Sequence, residues 1–325
     1  MNRYLLRRVF QAVPVLIGIT IITFIFTELA PGDAVTAMLM ETSTGGVSAE
    51  IDTAALRAKY GLDQPAPIRY LRWVGGILRG NMGIRVRSGV PVAEEIGRRL
   101  PATLQLMFVA IFLAVLIGIP LGVLTALRQY SLFDYTLTGF VFAGISVPGF
   151  FAAIAAVYLF AVKLGWFPTS GYSTPGKEFD LIGQLLDLAH HMALPATVLA
   201  VESTASIMRY TRASMLDVIR QDYITTARSK GLSPWLVTVR HALRNSLLPV
   251  ITIIGLRLPS LFGGAIVIET IFNWPGMGRL YLEGVTTRDI PLIMSMVLIS
   301  AVVIVISNLI TDLTYAVADP RVRYE

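Results

Sequence analysis

Six long apolar stretches dominate this sequence of 325 residues and limit what it can fold into. A helix needs about 20 predominantly apolar residues to cross a bilayer. Such helices are predicted near 9–29, 102–127, 136–162, 192–214, 247–268 and 290–316. Only 15% of the residues are charged and the mean hydropathy is +0.67, whereas a soluble domain usually carries about 25% charge. The sequence therefore predicts an all-α membrane protein with six transmembrane helices.

The positions of Lys and Arg predict which side of the membrane each loop occupies, because short cytoplasmic loops are enriched in these residues. With an internal N-terminus, the inner segments hold most of them, beginning with Arg3, Arg7 and Arg8, whereas the two short outer loops hold few. Both termini are therefore expected in the cytoplasm, and the first apolar stretch is interpreted as a retained anchor. The net charge of +6 then reflects topology and does not indicate nucleic-acid binding.

Composition divides the chain into three regions. Residues 1–29 form an N-terminal segment with the first transmembrane helix, residues 30–101 form a long external segment, and residues 102–325 form a core domain with the other five helices. Turn signals such as Gly61 and Pro65 predict short helices and turns in the external segment.

The residue types that usually carry catalysis or bind metals are scarce. Cysteine is absent, and the three histidines do not have the spacing of a zinc site. Residues 171–177 fit the first seven positions of a phosphate-binding loop, but Glu178 stands where Ser or Thr is required and no strand precedes the segment. We therefore expect no catalytic residue, no metal site and no ATP site in this chain.

The cytoplasmic loop at about 213–246, between the fourth and fifth helices, shows helical periodicity. Apolar side chains recur at every fourth position of its first half: Met215, Ile219, Tyr223 and Ala227. This pattern predicts one amphipathic helix. Gly231 can adopt the left-handed conformation that ends a helix, and Ser233 followed by Pro234 is a favourable start for a second helix.

The apolar stripe of this loop needs a cover on the watery side of the membrane. It can lie on the lipid surface or against the chain's own helices. It can also dock into a groove on a partner protein. The residues by themselves leave both alternatives open.

A resemblance to a known family favours the docking alternative. Thr225-Thr226-Ala227, followed by Gly231, resembles the EAA loop of bacterial ABC-importer permeases. Thr225 replaces the glutamate of that motif, and the distance from Gly231 to Leu248-Pro249 is longer; both departures are typical of the oligopeptide/dipeptide branch. Further motifs of this branch occur in order along nearly the whole chain: Pro31-Gly32-Asp33, Tyr60-Gly61-Leu62-Asp63, Arg99-Leu100-Pro101-Ala102-Thr103-Leu104, Ser146-Val147-Pro148-Gly149-Phe150, Val267-Ile268-Glu269-Thr270-Ile271-Phe272, Pro275-Gly276-Met277-Gly278 and Asp319-Pro320-Arg321.

The resemblance implies a type I ABC importer fold and a permease subunit that carries di- and oligopeptides across a bacterial inner or plasma membrane. It implies a second homologous permease, expected as a heterodimer partner, two cytoplasmic ATPase subunits that use ATP, and an external solute-binding protein. This chain is then no enzyme, binds no cofactor and contacts membrane lipid. The resemblance assigns contact with the ATPase to one set of residues: Asp222, Tyr223, Ala227, Arg228, Lys230 and Gly231. It leaves open whether the face of Tyr223 and Ala227 or the charged face makes that contact.

Two charged residues fall near the middle of predicted membrane spans, Glu202 in the fourth and Arg257 in the fifth. Charges inside a bilayer are costly, so they pair with one another or face a water-filled cavity. One interpretation is an ion pair that fixes two helices. The other is a polar wall of the translocation pathway, where Arg257 meets a carboxylate of the solute.

Two alternatives to peptide import are also consistent with the sequence. Relatives with the same architecture carry nickel, glutathione or sugars. A protein of another class, an ion-coupled secondary transporter or a channel, would not need a paired-helix cytoplasmic loop and often shows an inverted repeat, which we do not find in this sequence.

Overall fold

The computed structural model describes residues 2–33, 35–36, 52–59 and 61–318. Tyr60, most of 34–51 and the motif at 319–321 therefore lie outside the described residues. The N-terminal half contains these helices: α1 (Asn2–Leu29), α2 (Thr53–Lys59), α3 (Ala66–Leu78), α4 (Val92–Leu127), α5 (Leu132–Ser146) and α6 (Gly149–Ala156), which continues as a π-helix over Val157–Lys163. The C-terminal half contains these: α7 (Leu181–Ile219), α8 (Asp222–Ser229), α9 (Pro234–Leu236) with a π-helix over Val237–Leu243, α10 (Arg244–Ile271), α11 (Met277–Thr286) and α12 (Ile290–Ala318).

The prediction of an all-α membrane protein is confirmed. Within the described ranges, the only β-type pairing is an isolated antiparallel bridge between Ile84 and Pro91. Among the residues that the structure describes, three single helices are long and apolar enough to cross a membrane, namely α1, α4 and α12, and the bent pair formed by α5 with 149–163 is a fourth candidate. The other two predicted spans, which contain Glu202 and Arg257, lie within α7 and α10. The count of six spans and the position of the termini stay predictions.

The third predicted span, 136–162, is not one continuous helix. Helix α5 ends at Ser146, and the axis turns by 99° before the helix that starts at Gly149. Val147 is extended, with φ −86° and ψ 123°, because proline disfavours the helical conformation in the residue before it. Pro148 also lacks an N–H group to continue the ladder, and it becomes the N-cap of α6.

The chain forms two compact units. The first comprises Met1–Thr103 and Pro275–Val305. Its N-terminal part ends near the predicted boundary at residue 101, and it also includes α11 and much of α12. Arg85 anchors the loop before α4 in this unit, because its guanidinium donates to Glu283 over 2.8 Å. Asp289 accepts the N–H groups of Val86 and Leu292. Burial raises the pKa of the Asp289 carboxyl, in spite of these hydrogen bonds and the nearby Arg85.

The second unit comprises Leu104–Trp274 and Ile306–Glu325. Its centre is α7, against which α5, α6 and α10 pack. Buried Ala114 of α4, Ala200 and Ile207 of α7, and Val250 of α10 meet in one apolar cluster. Small residues let these helices approach closely, as is common inside membranes.

An ion pair with a buried carboxylate joins α5 to α7 in the second unit. Arg212 donates to the carboxylate of Asp134 over 2.7 Å, and Asp134 is almost fully buried. Asp134 also accepts the N–H of Tyr130, and Ser131 caps the start of α5. This pair was not predicted from the sequence.

Candidate coupling loop and candidate transport pocket

The loop between α7 and α10 contains a break that the sequence did not predict. Helix α7 ends at Ile219, and α8 starts at Asp222 after Gln221, which is extended with φ −77° and ψ 148°. The prediction of one amphipathic helix from Met215 through Ala227 is therefore wrong. The change of direction lets both helices bury apolar side chains in the same cluster.

The end of α8 and the start of the next helix follow the sequence prediction. Gly231 has φ +75°, the left-handed conformation that ends a helix, and its N–H bonds to the carbonyl of Arg228. Pro234 occupies the first turn of α9, and the hydroxyl of Ser233 accepts the N–H of Leu236. The chain then continues through the π-helix Val237–Leu243 into α10 without leaving helical structure.

The apolar stripe of α8 is covered by the chain's own helices. Ile224 is fully buried and Ala227 is 6% exposed; both pack with Met215, Val237 and Ala242. Contact with the chain's own helices therefore covers Met215 and Ala227 of the predicted stripe, whereas Tyr223 is 43% exposed. Docking to a partner stays a prediction. Because Ala227 is almost fully buried and Tyr223 is exposed, the two side chains do not share one exposed face. The assignment of Ala227 as a docking residue stays a prediction.

The exposed side of the loop carries aromatic and charged side chains. We define the coupling surface as Asp222, Tyr223, Arg228, Lys230 and Trp235, all of which are exposed. Trp235 is 76% exposed, and the hydroxyl of Tyr223 accepts a hydrogen bond from Asn245 over 3.1 Å. The exposure of Trp235 was not predicted from the sequence. Aromatic side chains beside cations are typical of the buried centres of protein interfaces.

The burial of Ile224 in α8 predicts that its truncation destabilises the protein. Ile224→Ala should destabilise the protein by about 2–5 kcal/mol, because it leaves a cavity in a packed cluster. Thr225→Ala, one residue along on the exposed side, is the matched control and should change stability by less than about 0.5 kcal/mol. Hydrogen exchange of the α8 amides in detergent measures the effect, and unchanged protection in Ile224→Ala would contradict the packing seen here.

The two membrane charges of the sequence analysis lie in direct contact. Arg257 of α10 donates to Glu202 of α7 over 2.7 Å and to the hydroxyl of Ser206 over 2.5 Å. The Arg257 side chain is 26% exposed and the Glu202 side chain is 69% exposed. The predicted ion pair is therefore formed, but its acidic member is open to its surroundings.

The pair forms part of the wall of a pocket of about 540 Å³ inside the second unit. The pocket is bounded by the end of α5, the start of α6, the middle of α7 and two parts of α10, and Glu202, Ser203 and Arg257 supply its polar side chains. Val147 and Pro148, at the break between α5 and α6, also line it. Cavities of this size accommodate small ligands. The two sequence interpretations are thus compatible, because the ion pair joins two helices and also faces a cavity.

The fold is a bundle of long apolar helices with a helical loop between α7 and α10 and a pocket lined in part by Glu202 and Arg257. The chain belongs to the family described as the binding-protein-dependent transport system inner membrane component, whose profile matches residues 118–324. The profile of the N-terminal part of the same membrane component matches residues 1–107. The resemblance to this family is confirmed, and the chain is a membrane permease component.

Relatives from several bacteria match the whole chain. The oligopeptide transport system permease protein AppB of Bacillus subtilis is 46% identical over 325 residues, which cover 100% of both chains. The dipeptide transport system permease protein DppB of Escherichia coli is 41% identical, again over 100% of both chains. The di/tripeptide transport system permease protein DppB of Pseudomonas aeruginosa is 38% identical over 100% of both chains.

Solved structures share the fold. A chain of the MetNI methionine ABC transporter in an inward-facing conformation aligns with a TM-score of 0.54 and 16% identity, covering 69% of this chain and 96% of that chain. A chain of an amino acid ABC transporter solved with histidines aligns with a TM-score of 0.51 and 15% identity, covering 69% and 94%. These similarities confirm the importer-permease fold.

Proposed function

We propose that this chain is the permease subunit of an ATP-driven importer of di- and oligopeptides. The observation that carries the proposal is full-length similarity to permeases named for oligopeptides, dipeptides and tripeptides. The left-handed turn at Gly231, with an exposed aromatic and cationic surface on both sides of it, adds a local reason. Such a surface suits docking to another protein.

The same proposal supplies the partners. Two cytoplasmic ATPase subunits hydrolyse ATP, a second homologous permease forms a heterodimer with this chain, and an external solute-binding protein delivers the peptide. The chain then needs no cofactor of its own. It lies in a bacterial inner membrane, in contact with lipid, with both termini and the coupling surface on the cytoplasmic side.

The packing of α8 suggests how ATP would act on the membrane helices. Ile224 and Ala227 attach α8 to the end of α7 through Met215 and to the π-helix before α10 through Val237. A displacement of the coupling surface would therefore move α7 and α10, the two helices that carry Glu202 and Arg257. This is a rigid-body switch biased by ATP binding to the partner. The pocket beside that charged pair forms part of the peptide pathway.

The coupling proposal predicts the behaviour of Gly231→Pro. Proline is fixed near φ −65°, so it cannot reproduce the φ of +75° at Gly231. We expect the defined ATPase subunits, co-expressed with the tagged chain, to be lost on purification, and ATP-dependent uptake of tri-alanine into proteoliposomes to fall at least about tenfold. Gly176→Pro is the matched control, because Gly176 has φ +73° but lies far along the chain from the coupling surface.

Three outcomes of this experiment bear on the proposed function. Normal ATPase retention in Gly231→Pro would contradict the coupling role. Uptake driven by an ion gradient without ATP would favour an ion-coupled carrier instead. ATP-dependent uptake of nickel, glutathione or a sugar, with none of tri-alanine, would keep the importer and overturn the peptide assignment.

A further inference from the structure

The pocket beside Glu202 and Arg257 combines two opposite charges with a helix break, and these features suit binding of a ligand. Its lining is apolar except for one carboxylate, one guanidinium and the hydroxyl of Ser203. The break between α5 and α6 opens on the same pocket through Val147 and Pro148. Irregular backbone at membrane depth is tolerated where it is buried in protein or lines a cavity. Opposite charges and a broken helix therefore meet in a cavity of small-ligand size.

We propose that this pocket is a transient binding site for zwitterionic peptides, in which Glu202 binds the peptide's ammonium group and Arg257 binds its terminal carboxylate. The two side chains separate when the peptide enters and pair again when it leaves. This inference rests on the proposed function, that the chain carries peptides, and adds the groups by which the pathway recognises them.

The unequal exposure of the two side chains allows this separation. The Glu202 side chain is 69% exposed, so it can rotate away from Arg257 without disturbing the packing of neighbouring side chains. Arg257 is 26% exposed and also donates to Ser206, so it stays at the wall when Glu202 moves. A guanidinium has five N–H donors in a fixed fork, and a peptide carboxylate can take the positions that Glu202 leaves.

The balance of charge favours a zwitterion over a simple ion. An entering anion or cation would leave a net charge inside the membrane, which is costly. A peptide with both termini free brings one charge of each sign. Every charge therefore has an opposite partner, both when Glu202 and Arg257 pair with each other and when each pairs with one end of the peptide. A partly exposed ion pair stabilises a fold only slightly, so opening this one is not prohibitive. The N-terminus of α6 at Gly149, which has no side-chain cap, adds N–H donors that suit a carboxylate.

The test measures binding to the complete importer complex in lipid nanodiscs without the solute-binding protein, so that only the membrane site is probed. Radiolabelled tri-alanine is displaced by tri-alanine, N-acetyl-tri-alanine or tri-alanine amide. In the wild type, blocking either end should weaken competition about tenfold or more, as expected for a lost hydrogen-bonded charge. Glu202→Gln should remove the penalty on the acetylated peptide, and Arg257→Gln should remove the penalty on the amide.

Controls separate this inference from its alternatives. Glu178→Gln, at an exposed carboxylate outside the pocket, should keep both penalties. If Glu202→Gln binds tri-alanine and still discriminates against the acetylated peptide as the wild type does, the proposal is overturned. If the single variants do not assemble, Glu202→Arg/Arg257→Glu keeps both charges and should retain both penalties; an assembled double variant without them overturns the proposal. A wild type that imports tri-alanine but shows neither penalty refutes only this inference, whereas one that imports no peptide refutes the proposed function.

Discussion

Gly122→Leu should yield almost no folded protein. A Cβ atom at Gly122 would lie 2.6 Å from the Cβ of Thr211 and 2.7 Å from the carbonyl oxygen of Met208. Thr211 is fully buried, and the carbonyl belongs to the backbone of α7, so neither can move aside without shifting that helix. Even Gly122→Ala should cost about 1–3 kcal/mol, the usual cost of overpacking a core.

The matched control for this substitution is Gly139→Leu. Gly139 lies in α5, and a Cβ there would meet no heavy atom within 4 Å. Fluorescence-detected size exclusion of tagged variants from solubilised membranes measures the folded fraction, and thermal unfolding in detergent ranks Gly122→Ala against Gly139→Ala. A monodisperse Gly122→Leu protein with wild-type stability would show that α4 and α7 are not in the close contact described.

The small residues of α4 were a sequence signal for close helix packing that the sequence analysis did not use. Five small residues recur at four-residue spacing along one side of the helix: Ala110, Ala114, Gly118, Gly122 and Ala126. Such a stripe is typical of helix contacts inside membranes. The sequence analysis used the apolar character of 102–127 to predict a span and did not use this spacing to predict its partner. The stripe alone also does not specify which helix covers it.

The long helices were predictable because apolar length is a strong signal. The break at Val147 was only partly predictable, since proline occurs in many continuous membrane helices. In the coupling loop, Gly231, Ser233 and Pro234 were predicted correctly because capping depends on local chemistry. The exposure of Trp235 and the burial of Ala227 were not predicted. They depend on how α8 and the following helical segment pack against each other, through contacts such as those of Ala227 with Val237 and Ala242.

The charged pair illustrates the same limit. Glu202 and Arg257 are 55 positions apart, and their equal depth in two predicted antiparallel spans was enough to suggest contact. The pocket beside them was not foreseeable, because it depends on the 99° turn between α5 and α6. Asp134 and Arg212 form a similar pair. Asp134 lies in the first turn of α5, where carboxylates are common, so its position in the sequence did not indicate an ion pair.

Arg257→Glu should abolish uptake and strongly reduce thermal stability. It would replace an ion pair of 2.7 Å by two facing carboxylates, which repel each other at this distance. Glu202→Arg should act in the same way through two cations. The double variant Glu202→Arg/Arg257→Glu restores opposite charges on α7 and α10, so it should recover most of the lost stability.

The measurements are thermal unfolding of the purified complex and ATP-dependent tri-alanine uptake, with Arg98→Glu as the matched control. Arg98 also pairs with a carboxylate, that of Glu94, but both side chains are well exposed, and such a pair contributes only about 0.3–0.5 kcal/mol. Recovery of both stability and uptake only in the double variant supports pairing between α7 and α10. If Arg257→Ala imports tri-alanine at the wild-type rate, Arg257 has no role in the pathway, and the pair serves only to join the two helices.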